Sequence, residues 1–74
     1  MKLPRVTGRE AVRAIERAGF VVDRQRGSHV ILVHSQSRKR VTVPVHAGKT
    51  VKPGTLNAIL DDAGLTPEEF AQLL

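Results

Sequence analysis

Seventy-four residues give room for one small domain, read here as residues 1–74, with a modest core. A hydrophobic fraction of 41% excludes disorder, and the lack of cysteine excludes disulfides, thiolate metal sites and a cysteine nucleophile. The net charge of +5 is uneven: all 12 lysines and arginines lie within residues 1–54, opposed there by Glu10, Glu16 and Asp23, while residues 55–74 carry only acids.

Taken in chain order, Thr7-Gly8-Arg9-Glu10 reads as a capping box, and Ala11, Ala14, Ile15 and Ala18 repeat at helical spacing up to Gly19. A first helix is expected over Gly8–Ala18, with Arg9, Arg13 and Arg17 in a row on its outer face. Phe20–Gln25 has the pattern of a short strand and ends in the turn signal Arg26-Gly27-Ser28. The β-branched, apolar run His29–His34 reads as the central strand, Ser35–Arg40 as a polar turn, and Val41–His46 as a half-buried strand. Pro44 cannot donate to a ladder, which points to a sheet edge for this third strand. After a basic loop, Ala47–Lys52, helical spacing returns at Leu56, Ile59, Leu60 and Ala63 and stops at Gly64, with either Pro53 or Thr55 opening the helix. Thr66-Pro67-Glu68-Glu69 is a second capping box and starts a last helix, Pro67–Leu74. The fold class is therefore α+β: a three-stranded antiparallel sheet covered on one face by helices, in the order α-β-β-β-α with a short C-terminal helix.

A basic body of this kind attracts polyanions through phosphate contacts and counterion release. Nucleic acid is favoured over a membrane because the cations are spread over helix, turns and loops and do not sit on one amphipathic helix. No apolar run approaches the roughly 18 residues of a membrane helix. Met1-Lys2-Leu3-Pro4-Arg5 lacks a signal core, so the cytoplasm is the expected compartment. No metal or other cofactor is expected: His29 and His34 are five apart on one strand and project to opposite faces.

A symmetric hairpin closed by Ser35–Arg40 sets His34 opposite Val41, Leu32 opposite Val43 and Val30 opposite Val45. The same register brings His29 directly across from His46 on the helix-free face, with Cβ atoms about 5 Å apart. A three- or five-residue loop with a bulge would break that pairing. Two imidazoles suit RNA cleavage by the 2′-hydroxyl, one taking its proton and the other protonating the leaving 5′-oxygen. Arg24, Arg26, Lys39, Arg40, Lys49 and Lys52 flank the pair and would stabilise the charge on phosphorus. In the plainer reading His29 and Ser28 only complete a turn, and His46 only ends a strand.

Several segments together resemble the HicA toxin family of bacterial type II toxin–antitoxin systems, which are small mRNA interferases. These are Gly27-Ser28-His29 before an apolar strand, Val43-Pro44-Val45-His46 before a basic loop, and Gly54-Thr55-Leu56 followed by Ile59-Leu60 and Asp62-Ala63-Gly64-Leu65-Thr66. The resemblance implies a fold like that of a double-stranded-RNA-binding domain, ribosome-independent cleavage of mRNA, and neutralisation by a HicB-type antitoxin. It maps the family's catalytic histidine onto His29, whereas His46 comes only from the hairpin count. Val30 and Leu32 are aliphatic where family members often carry a basic or aromatic residue, so the phase of the strand stays open. With Ile31 and Val33 on the helix-free face, they would form an apolar patch suited to the antitoxin. The functional expectation is a metal-independent endoribonuclease using His29, with Ser28 and the flanking cations binding RNA. The alternative is a non-catalytic module for double-stranded RNA, which is recognised by shape and needs no base-stacking aromatics. A decayed toxin with a surviving fold is a third possibility. A helix-turn-helix is disfavoured because the strand block separates the helices.

Overall fold

The first helix begins where its sequence supplies a cap. In the computed structural model, which describes residues 3–74, Thr7 Oγ1 accepts from the Glu10 N–H at 3.2 Å while Glu10 Oε1 accepts from the Thr7 N–H at 2.8 Å. Met1 and Lys2, the start of the stretch inspected for a signal, lie outside the described residues. Helix α1 spans Gly8–Arg17, with Ala18 as its C-cap and Gly19 at φ 102°. Strands β1 (Phe20–Arg26), β2 (His29–His34) and β3 (Arg40–Pro44) follow, then α2 (Pro53–Ala63) and α3 (Pro67–Gln72). This is the expected α+β layout, with an antiparallel sheet in the order β1-β2-β3.

Pro53 proves to be the first residue of α2, after Lys52 at the N-cap, and left-handed Gly64 ends the helix. Thr66 caps α3 with a second reciprocal box, in which its hydroxyl accepts from the Glu69 N–H. The core lies between the helices and one face of the sheet. Ala11, Ala14 and Ile15 from α1 and Leu56, Ile59 and Leu60 from α2 close over Val30, Leu32, Val41 and Val43, and Phe70 of α3 seals one end. Burial of Val30 and Leu32 fixes the phase of β2 and turns Ile31 and Val33 to the open face. Val21 on that face and Val22 on the other are 56% and 46% exposed, as expected of an outer strand that outruns its helical cover.

The β2–β3 hairpin departs from the count made above. His29 pairs with Pro44, Val30 with Val43, Leu32 with Val41 and Val33 with Arg40. The expected register is thus displaced by two residues, which preserves every face but moves every partner. His29 does not face His46. The loop is shorter than six residues: the His34 N–H donates to the Lys39 carbonyl at 2.8 Å, which leaves Ser35–Arg38 as the connection. Arg38 closes it at φ 65°, a left-handed conformation that costs a non-glycine residue about 1 kcal/mol or more. His34 holds the loop from inside. Its Nδ1 accepts from the N–H groups of Gln36 and Ser37, both at 3.1 Å, so its ring proton resides on Nε2. The same ring meets Phe20 edge-on, with centroids 5.0 Å apart.

One further feature was absent from the sequence, and one pairing that the charges suggested, of Asp61 and Asp62 with arginines of the basic body, does not form among the described residues. A bulge at Asp23 interrupts the β1–β2 ladder between Val22 and Arg24. Asp61 and Asp62 form no ion pair with an arginine among the described residues, where Arg24–Asp23 is the one salt bridge.

Candidate nucleic-acid interface

The turn between β1 and β2 explains why glycine and serine precede His29. Arg26 pairs with His29, so Gly27 and Ser28 form a two-residue hairpin loop with Gly27 at φ 59°, the positive φ that a type II′ turn needs at its first position. The Ser28 carbonyl accepts from the Val45 N–H at 2.6 Å and so extends the ladder with β3 by one step. His29 is thereby fixed at the turn end of the central strand, exposed on the face that no helix covers.

Register determines which side chains share that face. In an antiparallel sheet, directly paired residues point to the same side. From β1 come Val21, Arg24 and Arg26; from β2, His29, Ile31 and Val33; from β3, Arg40, Thr42 and Pro44. Three of the cations singled out in the sequence, Arg24, Arg26 and Arg40, therefore surround the strip formed by His29, Ile31 and Val33. The bulge makes this possible for Arg24. Without the extra residue at Asp23, simple alternation from Val21 would send position 24 to the helix side.

Beyond Pro44 the chain turns at His46–Lys49, with Gly48 at φ 73° and the Lys49 N–H donating to the His46 carbonyl at 3.0 Å. It then returns beside the start of α1, where Thr50 bridges Thr7 and the Val51 N–H reaches the Val6 carbonyl at 2.8 Å. This path encloses a cleft of about 370 Å³ lined by Pro44, His46, Lys49, Lys52 and Thr55. Lys52 is the N-cap of α2 and makes no side-chain capping bond, so the cleft opens onto the positive end of that helix.

Pro44 joins the two regions, pairing with His29 on the sheet and lining the cleft that contains His46. His46 follows Pro44 by two residues, the diagonal position, which in a regular ladder lies about 7–8 Å from its neighbour. The two histidines thus border one surface without facing each other. Lys39 is elsewhere. A Cβ at Gly64 would lie 2.7 Å from Lys39 Nζ, so this ammonium sits at the C-terminal end of α2, where it complements the helix dipole.

Val21 and Arg38 were not singled out in the sequence. Val21 could be found only from the register. Arg38 stands beside Lys39 and Arg40 in a basic run, and its charge was the available signal. Among the described residues no group of three or more His, Cys, Asp and Glu side chains converges as metal ligands, and no helix is long and apolar enough to cross a membrane.

Comparison with known proteins adds one positive finding. Residues 8–65, more than half of the chain, match the model of a family described as "HicA toxin of bacterial toxin-antitoxin". No curated protein matched the chain.

Proposed function

The chain belongs to the HicA toxin family of bacterial toxin–antitoxin systems, and from that premise we propose that it is an endoribonuclease that cleaves mRNA by metal-independent acid–base catalysis at His29. The observation that carries the reading is the position of His29: exposed, fixed by a glycine turn, on a sheet face ringed by Arg24, Arg26 and Arg40.

The reaction has few needs. The ribose 2′-hydroxyl attacks the adjacent phosphorus, its proton passes to a base, and the P–O5′ bond breaks as an acid protonates the leaving oxygen. The products are a 2′,3′-cyclic phosphate and a 5′-hydroxyl. His29 supplies one proton transfer, and His46, beyond Pro44, is the candidate for the other. Arg26, paired with His29, offers charge to the reacting phosphoryl oxygens, Arg24 and Arg40 hold the strand farther along the open face, and Lys49 and Lys52 track it through the cleft beside α2. Ser28 acts through its backbone, holding β3 against the turn that carries His29. Lys39 is remote from this path and belongs to the helix side.

An antitoxin is the protein partner that family membership suggests. Val21, Ile31 and Val33 give it an apolar strip between the arginines, so a bound antitoxin would exclude RNA from His29 by occupying the same face.

The test is incubation of a long single-stranded RNA with the purified protein in EDTA, with wild type beside His29→Ala and His46→Ala. Cleavage by wild type with cyclic-phosphate ends, lost in His29→Ala, is expected. Equal cleavage by wild type and His29→Ala removes His29 from the mechanism. A gel shift by all three proteins without cleavage would establish a binding module for RNA instead.

A further inference from the structure

Three arginines from three separate elements meet at the end of the open face farthest from His29. Arg24 comes from β1, Arg38 from the β2–β3 loop and Arg40 from the first position of β3. They line a hollow of about 480 Å³ with Val21 and Val33 on the sheet face and His34 and Ser35 beside the loop. Asp23 is the one acid in the lining; its Oδ2 accepts from Arg24 Nε at 3.0 Å, a contact that uses neither terminal amino group of that guanidinium. Arg38 and Arg40 have no carboxylate partner among the described residues. Two guanidinia without a carboxylate partner, beside a third whose terminal amino groups Asp23 leaves unused, form a site for an anion, and their planar forks suit phosphate oxygens.

Arg38 adds an independent observation. Its left-handed backbone, φ 65°, is one that glycine or asparagine adopts more readily, yet the position holds a long cation that lines the hollow. The loop is also held firmly, by the two N–H groups on His34 Nδ1 and by the Arg38 N–H to the His34 carbonyl at 3.2 Å. The turn thus holds the base of the Arg38 side chain at a fixed place beside the hollow.

We propose that this hollow is a second phosphate subsite, which takes a non-scissile phosphate of the RNA and sets the strand's position over His29. The proposal rests on the nuclease reading for its register. Val33, at the hollow, is four residues from His29 along β2, or about 13 Å at strand rise. At the ~3.4 Å per nucleotide of a stacked strand, the phosphate bound there lies at most about four nucleotides from the cleaved bond, and fewer if the strand is extended.

The experiment compares the wild type with Arg38→Gly, a change that removes the charge and suits the left-handed turn. Expected are an unchanged or higher melting temperature, KM for a single-site RNA raised about 3- to 10-fold, and kcat unchanged. On a His29→Ala background, which binds without cutting, adding Arg38→Gly should make log Kd against log salt shallower by about 0.7. Methylphosphonates placed singly within four nucleotides of the cleaved bond should raise KM at one position in wild type and add nothing there in Arg38→Gly. Unchanged KM and salt slope in Arg38→Gly overturn the subsite, as does the same methylphosphonate profile in both proteins. So does loss of antitoxin binding with RNA affinity intact, which would assign the arginines to a protein partner. A wild type that cuts no RNA fails the nuclease reading, while the salt slope still decides whether the hollow holds phosphate.

Discussion

Gly8 is the first residue of α1 and is fully packed, and the absence of a side chain there lets the helix rest on the end of β3. A Cβ on Gly8 would point at the Pro44 carbonyl and stand 2.8 Å from Val45 Cα. Comfortable carbon–carbon contact is about 3.5–4.0 Å, so Gly8→Ala must push α1 and β3 apart by roughly 1 Å. Overpacking of this kind costs about 1–3 kcal/mol, and alanine's better helix propensity returns up to about 1 kcal/mol. Because the contacts are with backbone atoms, which cannot turn away, the upper part of that range applies, about 2–3 kcal/mol. A net loss of about 1–2 kcal/mol remains. For a domain of this size that lowers the melting temperature by roughly 4–16 °C. Gly54 is the control: it lies in the first turn of α2, and a Cβ there meets nothing within 4 Å. Gly54→Ala should gain about 0.4–1 kcal/mol through the unfolded chain. Thermal melts followed by circular dichroism should therefore move in opposite directions for the two substitutions. A Gly8→Ala protein as stable as wild type would refute the packing argument. Because the contact falls on Pro44 and Val45, the same variant should also lose cleavage out of proportion to its unfolded fraction, by displacing His46 and the cleft.

Further outcomes follow from other contacts. His34→Ala removes the acceptor for two loop N–H groups and the edge-on contact with Phe20, and should cost about 1–3 kcal/mol in urea unfolding. The kcat per folded molecule should survive that change, since His34 serves the turn, while KM should rise as the loop carrying Arg38 loosens. Leu32→Ala empties a fully buried position in the centre of the sheet and should cost about 2–5 kcal/mol, enough to leave much of so small a domain unfolded at 37 °C. RNA affinity should fall steeply between 50 and 200 mM salt, and a salt-insensitive Kd would contradict binding through the arginine face.

The elements that the sequence disclosed are those with local causes. Both capping boxes, the left-handed glycines after α1 and α2, and the helical stripes depend on neighbours within four residues, and each formed where expected. The faces of β2 and β3 were legible too, because alternation survives a displacement of two. The partners were not. They depend on where the loop closes, and Arg38 adopts a left-handed backbone that its side chain does not advertise. A glycine or asparagine there would have signalled a four-residue loop and set His29 opposite Pro44. The bulge at Asp23 was hidden for a similar reason: a strand accommodates an extra residue without any special residue type to mark it. Lys39 looked like its neighbours Arg38 and Arg40 because one-dimensional charge does not reveal which face a residue takes. Most of the side chains gathered on the open face and at the cleft were thus singled out in the sequence, Lys39 was singled out but lies elsewhere, and the arrangement itself was not legible.

The outer edge of β1 has a consequence for how the chain behaves when crowded. One row of its backbone N–H and carbonyl groups is left without a strand partner, as at any sheet margin. Such a margin invites a second copy to pair and build outward. Here the bulge twists it midway, every residue from Val21 to Arg26 stays exposed, and Asp23, Arg24 and Arg26 stand along it. A second β1 laid against the first would have to match two bulges and crowd the charged side chains of both copies. The margin is thus guarded against strand-to-strand pairing by irregularity and charge, where a smooth valine-rich edge would nucleate aggregates.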